Sequence, residues 1–361
     1  MAILDAVKEW LILIPPETPQ AEKCAEDLSR YIGLLNAING KNAANPPKIA
    51  IATHPDAWEE NAFIILNCED SCPERNGFEW RAEPERVEIY GESYRGLCNG
   101  VYSFLAALGI RWPSPGLEKI PPLGFSPASA SACEPSHFNG ENPAAAPWLR
   151  FVPAGKTEIK KILKNSKDFA AWAARNRYDA IILPLWTFAS GKTGQKIMRL
   201  KEFLTAYGIA IEAGGHDLSS LVPRKHFIFH RDFFRMEGGK RKKEHHFCPT
   251  NPGTIALAGK EGNRLFHAAQ DIKTFHLWPD EGFETAWCSC PTCRAFTALE
   301  QNRIAVNIAA DVLAKMHPDA FISFLEKSGE DGNPPGNIHL RKNTFITEIL
   351  PTENKSRIRN A

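Results

Sequence analysis

The sequence predicts an α/β protein with an N-terminal α/β sandwich domain and a second domain on a parallel sheet, either a barrel or an open sheet. Two observations predict this class. Short apolar strands alternate with amphipathic helices along most of the 361 residues. A stretch rich in Pro, Ala, Ser and Gly divides the chain. We expect domains at 1–125 and 147–361, joined by a linker at 126–146.

Four strands and two helices are expected in the N-terminal domain. The strands are EWLILI, KIAIA, NAFIILN and RVEIYG. The first helix begins at Thr18-Pro19, since Pro is tolerated in a first turn, and its apolar residues keep the three-to-four spacing of an amphipathic helix. The second runs from about residue 96 to 108. Its glycines, Gly96 and Gly100, let it lie close to the sheet.

The second domain repeats a strand followed by a helix. The expected strands are WLRFV, DAIILPL, IAIEAGG, TFHLWPDE, AFISFLE and NTFITEIL. Helices are expected at 158–176, at 197–207, through His267, and at 294–316, with a long insertion after the third strand. Strand and helix units of this length indicate parallel pairing, because a parallel crossover needs a helix-sized connection.

Composition excludes several classes of partner. The net charge of +1 gives no reason to expect nucleic acid or an anionic membrane as partner. The basic run Lys240–Lys243 is expected to be a solvated loop rather than a phosphate-binding patch. No segment has the roughly 20 apolar residues that cross a bilayer, and EWLILI is too short for a signal peptide. These features predict a cytoplasmic protein, and nine mostly scattered cysteines predict reduced thiols.

Two groups of motifs resemble known families. RGLCNGVYSFLAALGIRW and KCAEDLSRYIGLL resemble the leading domain of bacterial α-glucuronidases and β-hexosaminidases. Gly214–Pro223, Phe234–Pro252 and Trp278–Cys293 resemble three segments of a bacterial glycoside-hydrolase-like family with a CxCxxC motif. The resemblance implies a (β/α)8 TIM-barrel-like second domain. Because such barrels usually take about 250 residues and roughly 220 follow the linker, we expect either a barrel with a degenerate end or one that is truncated at its C-terminus.

Asp280 and Glu281 are the first candidate catalytic residues. They follow the fourth strand of the second domain, and at a strand end both carboxyl groups can reach one pocket. Glycoside hydrolysis needs an acid for the leaving oxygen and a second group at the anomeric centre. By resemblance to β-hexosaminidases, Glu281 is the general acid and Asp280 orients an acetamido group, with Trp278 as a sugar-stacking platform. The alternative is a solvated loop with two surface acids.

Glu212 and His216 end the third strand and are expected beside those acids. The glycine turn before His216 would expose its imidazole over the strand ends, where it could bind a sugar hydroxyl or assist proton transfer. Glu212 is the third candidate catalytic residue, and His245 is expected to line the pocket from the insertion. The alternative for His216 is a buried, satisfied histidine.

Cys288, Cys290 and Cys293 form a C-x-C-x-x-C group before a helix. Zinc takes four N or S ligands in a tetrahedron, and one loop can supply three of them. Cys248 is the expected fourth ligand, with His245 or His246 next in line, so one structural zinc ion is predicted. The alternatives are reduced cysteines packed around Trp287 or a redox-labile pair.

These features together predict a glycoside hydrolase whose substrate contains hexosamine or uronic acid. The second hypothesis is a non-catalytic carbohydrate-binding or scaffold protein derived from such an enzyme. A metal-dependent hydrolase is weaker, because three thiolates are typical of a structural zinc site. No phosphate loop, dinucleotide fingerprint or serine-hydrolase elbow occurs in the sequence.

Overall fold

The structure is a computed structural model that describes residues 10–14, 21–38, 46–51, 61–69, 75–122, 130–135, 149–189, 191–280, 286–325, 338–349 and 357–360. The chain forms two compact units. The first comprises Met1–Trp148, Lys161–Asp179 and Arg199–Ala210, and the second comprises Leu149–Lys160, Ala180–Met198 and Ile211–Ala361. Within the described residues, no helix is long and apolar enough to span a bilayer.

Among the residues described in the N-terminal part of the first unit, there are eight strands and two helices. They are β1 (Trp10–Ile14), α1 (Glu22–Ile38), β2 (Lys48–Ile51), β3 (Ala62–Cys68), β4 (Phe78–Glu83), β5 (Arg86–Gly91), α2 (Tyr94–Ala107), β6 (Arg111–Ser114), β7 (Leu117–Lys119) and β8 (Ala130–Glu134). The strand order β2-β1-β3-β5-β4-β8 makes a six-stranded mixed sheet. Helices α1 and α2 pack against it and against each other. The expected sandwich arrangement stays a prediction.

Local chemistry explains the position of α2. The Ser93 hydroxyl accepts a hydrogen bond from the Gly96 backbone N–H and caps the helix. A Cβ at Gly96 would lie 2.2 Å from the Gly77 carbonyl oxygen, so only glycine allows this approach. The close approach expected of Gly96 is confirmed.

Cys24 of α1 and Cys98 of α2 form a disulfide with 5.8 Å between their Cα atoms. The expectation that these two thiols are reduced is therefore wrong. The two residues are 74 positions apart, and nothing local in the sequence links them. Disulfides form in oxidising compartments, so this bond weighs against the expected cytoplasmic location, which stays a prediction.

The second half of the chain alternates strands and helices. They are β9 (Arg150–Phe151), α3 (Lys156–Lys164), α4 (Ser166–Arg175), β10 (Ala180–Leu183), α5 (Leu185–Phe188), α6 (Gly191–Thr205), β11 (Ala210–Gly215), β12 (Met236–Glu237), β13 (Lys240–Arg241), α7 (Pro252–Ala268), β14 (Thr274–Leu277), α8 (Ala298–Met316), β15 (Phe321–Leu325), β16 (Thr344–Ile349) and β17 (Arg357–Asn360). Where a single helix at 158–176 was expected, there are two, α3 and α4, and Asn165 occupies the N-cap position of α4 without a side-chain capping hydrogen bond.

Seven of these strands close into a barrel in the order β10-β11-β14-β15-β16-β17-β9. Pairing is parallel between β9 and β10 and from β11 through β14 and β15 to β16. Strand β17 is antiparallel to both of its neighbours, β16 and β9. The architecture is a mixed α/β fold with a curled, largely parallel barrel sheet, compatible with a TIM-barrel-like fold. Its closing strand departs from the eight parallel strands expected.

Candidate functional site

The ends of β11 and β14 bring two of the predicted motifs together. The strands pair in parallel with Gly214 opposite His276. A Cβ at Gly214, whose φ is +117°, would lie 1.9 Å from the His276 carbonyl oxygen, so the glycine is required there. Beyond the strands, the backbone N–H of Trp278 donates to the Gly215 carbonyl oxygen at 2.8 Å, and the backbone N–H of Leu218 donates to the Trp278 carbonyl oxygen at 3.1 Å. The two segments therefore run side by side as they leave the sheet.

Below this edge lies a buried polar group of side chains that we call the interior network. Its members are Arg150 of β9, Glu212 of β11, His276 and Trp278 at β14, and Ser323 of β15. Arg150 donates from Nε to Glu212 Oε2 at 2.6 Å and from Nη2 to Oε1 at 3.2 Å. Arg150 is 0% exposed and Glu212 is 2% exposed. This is the two-pronged geometry of a strong charge-assisted pair.

The hydrogen bonds of the interior network fix the tautomer of His276. The Trp278 indole can only donate, and it does so to Ser323 Oγ at 2.7 Å. The Ser323 hydroxyl then donates to His276 Nδ1 at 2.6 Å, and His276 Nε2 donates to Glu212 Oε2 at 2.8 Å. For a neutral imidazole, these donor and acceptor roles give an acceptor to the indole N–H of Trp278, the hydroxyl of Ser323 and the ring N–H of His276.

The electrostatics agree with that assignment. Burial acts to raise the pKa of Glu212, but the charge of Arg150 and the hydrogen bonds to the carboxylate outweigh it, so this pKa lies below its ordinary value. Burial lowers the pKa of His276, against the opposing effect of Glu212. Glu212 is therefore an ionised, fully engaged carboxylate. A role in positioning fits this geometry, and its predicted catalytic role stays a prediction.

A second group of polar side chains, which we call the rim cluster, lies where the two segments emerge. It comprises His216, Asp217, Arg224, His245 and Asp280. Asp280 is 21% exposed, 3.2 Å from Arg224 Nη2 and 3.5 Å from His245 Nδ1. His245 has a φ of +63°, unusual for a residue with a side chain. Insertion residues thus hold the Asp280 carboxylate.

His216 and Asp217 complete the rim cluster from the end of β11. The half-buried His216 ring contacts Trp278 edge-on at 5.6 Å, and its Nδ1 hydrogen-bonds the Pro279 carbonyl oxygen. Asp217 Oδ2 accepts from the Leu185 N–H at 2.8 Å. Burial raises the pKa of Asp217, with a smaller contribution from the Asp280 charge, although the Leu185 hydrogen bond and His216 oppose this. The rim cluster therefore contains a carboxyl that resists ionisation.

The structure brings some of the predicted site residues together and leaves others apart. His216, His245 and Asp280 come together in the rim cluster, whereas Glu281 lies outside the described residues. Trp278 is fully buried and committed to Ser323, so the stacking platform expected of it does not fit a ring with no exposed face.

Sequence reasoning missed Arg150, Asp217 and Arg224, and ranked His276 low. A charged residue inside the apolar run WLRFV was the one signal that could have found Arg150.

The four predicted zinc ligands come together as a second candidate centre. The Sγ atoms of Cys248, Cys288, Cys290 and Cys293 all lie within 4.8 Å of one another, and all four residues are buried. Cys248 Sγ is 3.7 Å from that of Cys290 and 3.6 Å from that of Cys293. A tetrahedral site with zinc–sulfur bonds of about 2.3 Å has sulfur–sulfur edges of about 3.8 Å. The cysteine group therefore fits a metal ion.

Donors around the sulfur atoms also suit thiolate ligands. The Met236 N–H lies 3.2 Å from Cys288 Sγ, and Arg241 Nη1 lies 3.8 Å from the same atom. Hydrogen bonds from Cys288 and Cys293 lower the pKa of Cys248, and the same hydrogen bonds raise the pKa of Cys288, to about 11, and that of Cys293. Within the group itself, a thiolate is therefore favoured at Cys248.

The cysteine group connects the insertion to the segment after β14. The Ser289 N–H donates to Met236 at 2.9 Å, and the Cys248 N–H donates to Phe233 at 2.9 Å. Gln301 of α8 accepts from the Cys288 N–H and donates to the Cys288 and Cys293 carbonyls. Both ends of the metal-binding loop are therefore anchored to regular structure.

The fold is similar to that of several solved glycoside hydrolases. The Flavobacterium johnsoniae chitobiase is 14% identical with a TM-score of 0.50, over 94% of this chain and 51% of that one. Two β-N-acetylhexosaminidases are also similar. The enzyme of Bacteroides fragilis is 13% identical with a TM-score of 0.44, over 95% of this chain and 67% of that one. The enzyme of Streptomyces coelicolor is 10% identical with a TM-score of 0.49, over 95% of this chain and 66% of that one.

These similarities establish the fold alone. The chain spans between about half and two thirds of the length of these enzymes. No protein-family model matches the sequence, and no curated protein matches it.

Proposed function

We propose that this protein is a glycoside hydrolase that uses carboxylate general acid catalysis at the ends of β11 and β14. The observation that carries the proposal is the placement of Asp280, held by Arg224 and His245 directly after a barrel strand. Active sites of barrel enzymes lie at the carboxyl ends of the strands. The barrel-like fold shared with the F. johnsoniae chitobiase supports the same reading.

The proposed chemistry divides between neighbouring acids. Glu281 protonates the leaving glycosidic oxygen, while Asp280, held by Arg224 and His245, faces the developing positive charge or orients the substrate. Asp217, which accepts a hydrogen bond from the Leu185 N–H and whose pKa is raised by burial, lies in the same cluster as Asp280 and is proposed to contact sugar hydroxyl groups. The substrate class is a glycan containing hexosamine or uronic acid, as the family resemblance implies.

The test is the conversion of Glu281 to Gln. We expect a loss of roughly 100- to 10,000-fold in kcat/KM on an aryl-glycoside that the unchanged protein hydrolyses, the usual contribution of a general acid. The urea midpoint should stay unchanged. Glu202→Gln, at an exposed position of α6, is the matched control and should retain activity. Undiminished hydrolysis by E281Q would refute the proposed role.

We further propose that the cysteine group binds one structural zinc ion. Four thiolates fill a tetrahedral ion, so no position remains for substrate or water. Elemental analysis should give about one zinc per chain, and Cys290→Ser should lower that content. Cys133→Ser, which alters an exposed cysteine of β8, is the control. Full zinc occupancy in C290S, or a different metal, would contradict the assignment.

A non-catalytic carbohydrate-binding protein is the second candidate function. The observation that favours it is the complete engagement of Glu212 with Arg150 and His276, which leaves fewer carboxyl groups for catalysis. Calorimetric binding of an oligosaccharide with no release of reducing ends over days would support this function.

A further inference from the structure

The insertion between β11 and α7, residues 216–251, is much more basic than the rest of the chain. It contains eight Lys and Arg and four Asp and Glu, a formal excess of four positive charges in a chain whose net charge is +1. Everything outside it is therefore net negative. A local field of this kind, at the side of a barrel where ligands bind, selects for anionic groups.

The four acids of the insertion are already subtracted in this excess. Asp217 accepts from the Leu185 N–H, Asp232 accepts from Asn251, Glu237 pairs with Arg235, and the charge of Glu244 acts on Arg224. The lysines form no ion pair with any residue that the structure describes. They are Lys225, Lys240, Lys242 and Lys243. Lys225, Lys240 and Lys243 are exposed and Lys242 is half-buried.

Part of this charge is fixed next to the rim cluster. One guanidinium, that of Arg224, donates to the Lys243 carbonyl at 2.6 Å and to Asp280 at 3.2 Å. The Lys242 N–H donates to the Arg235 carbonyl at 2.9 Å, and His245 approaches Asp280. The backbone of 242–245 is therefore tied along the rim cluster, and the Lys243 side chain is exposed beside it.

We propose that Lys242 and Lys243 form a subsite for the anionic groups, carboxylate or sulfate, of an acidic glycan bound at the rim cluster. This inference rests on the proposed function and narrows its substrate class. The ammonium groups supply charge-assisted hydrogen bonds to sugar units next to the one whose bond is cleaved. The basic run is then a recognition element, not the solvated loop that its composition suggested.

The test compares three tetrasaccharides by isothermal titration calorimetry. They are an oligogalacturonate, a sulfated chondroitin fragment and neutral chitotetraose. We expect the anionic ligands to bind at least about tenfold more tightly than the neutral one, with affinity falling between 50 and 200 mM salt as screening increases. Preference for the uronate identifies carboxylate as the target, and preference for the sulfated fragment identifies sulfate.

Variants assign the effect to the subsite. Lys242→Ser with Lys243→Ser should lower affinity for the preferred anionic ligand roughly three- to thirtyfold, the range of two exposed ion pairs. Lys160→Ser with Lys196→Ser removes the same charge from exposed helical positions and should leave affinity unchanged. An equal loss in both double variants would overturn the proposal. Equal affinity for chitotetraose, or equally tight binding of a single-stranded oligonucleotide, would do the same.

Failure of the subsite and failure of the enzymatic function give different results. If E281Q still hydrolyses the glycoside while the lysine variant loses its anion preference, the catalytic assignment fails and the subsite stands. If E281Q is inactive and the anion preference is missing, the subsite fails and the enzyme stands.

Discussion

The interior network and the rim cluster are built from the same residue types, yet they differ in how their charges are satisfied. In the interior network, Arg150 and Glu212 are both almost wholly buried, and each proton has a defined acceptor. In the rim cluster, Asp280 is partly exposed and touches its partners at longer distances of 3.2 and 3.5 Å. A closed network leaves no hydrogen-bonding capacity for a ligand, whereas an open one does.

This difference indicates that the interior network supports the fold and that the rim cluster is the region able to contact a ligand. Buried ion pairs seldom add net stability, because desolvation offsets their attraction, but loss of one partner is costly. Open clusters at a strand end cost little to alter and can contact substrate. The interior network therefore determines how the strands that carry the rim cluster are held, and the rim cluster determines what is bound.

The largest expected effect is that of Glu212→Ala. It leaves the Arg150 charge buried without a counter-ion, so we expect a loss of about 3–5 kcal/mol in the free energy of unfolding. Urea titration followed by circular dichroism measures this. Asp280→Ala is the matched rim change and should cost less than about 1 kcal/mol. Similar losses in the two variants would mean that the two regions do not differ as described.

A second effect is the dependence of stability on pH. The folded-state pKa of Glu212 is lowered, so its contribution is present above the ordinary value of about 4.3 and is lost as pH falls through the folded pKa. The folded-state pKa of His276 is also lowered, so the unfolded chain gains a proton first as pH falls below about 6.5. Both make the protein less stable in acid.

The matched variants distinguish these two contributions. Glu212→Gln should reduce the loss of stability at the most acidic pH values, and His276→Asn should reduce the loss of stability that begins near neutral pH. Stability that stays constant between about pH 7 and 5 would contradict the assignment of His276, and stability that does not fall further below about pH 4.3 would contradict that of Glu212. The measurement is a series of urea midpoints from neutral pH to well below about pH 4.

The sequence predicts a feature well when its residues lie close together along the chain, and poorly when they lie far apart. The placement of Asp280 and His216 at strand ends came from local patterns, because apolar strands followed by Gly or Pro are recognisable within ten residues. The cysteine group was predicted for the same reason, because three of its ligands lie within six positions. Cys248 was predicted as the fourth because zinc takes four N or S ligands.

The rest depends on pairing between distant positions. Arg150 and Glu212 are 62 residues apart, and Cys24 and Cys98 are 74 apart, so no local period connects them. Strand β8 lies in a stretch expected to be a linker, since ASACE has weak strand propensity and is ordered by pairing with β4. The closing strand β17 is fixed by the barrel it completes and not by its own composition.

A third, smaller effect is expected for Ser323→Ala. The substitution removes the acceptor for the Trp278 indole and the donor to His276, leaving buried polar atoms without partners. Such a loss costs about 1–3 kcal/mol. Ser289→Ala removes an exposed hydroxyl bond to the Met236 carbonyl and should cost no more than about 0.5 kcal/mol. Equal values for the two serines would argue against a closed network.

The smallest effect on stability, and the sharpest on function, is expected for Arg224→Gln in the rim cluster. Arg224 is partly exposed, so loss of its contact with Asp280 should change the free energy of unfolding by less than about 1 kcal/mol. The same change frees Asp280 and the Lys243 carbonyl, so kcat/KM should fall at least about tenfold while the urea midpoint hardly moves. Arg231→Gln, an exposed arginine on the same insertion, is the control. A large loss of stability in R224Q with proportionate loss of activity would place Arg224 with the scaffold, and the distinction between the interior network and the rim cluster would fail at that residue.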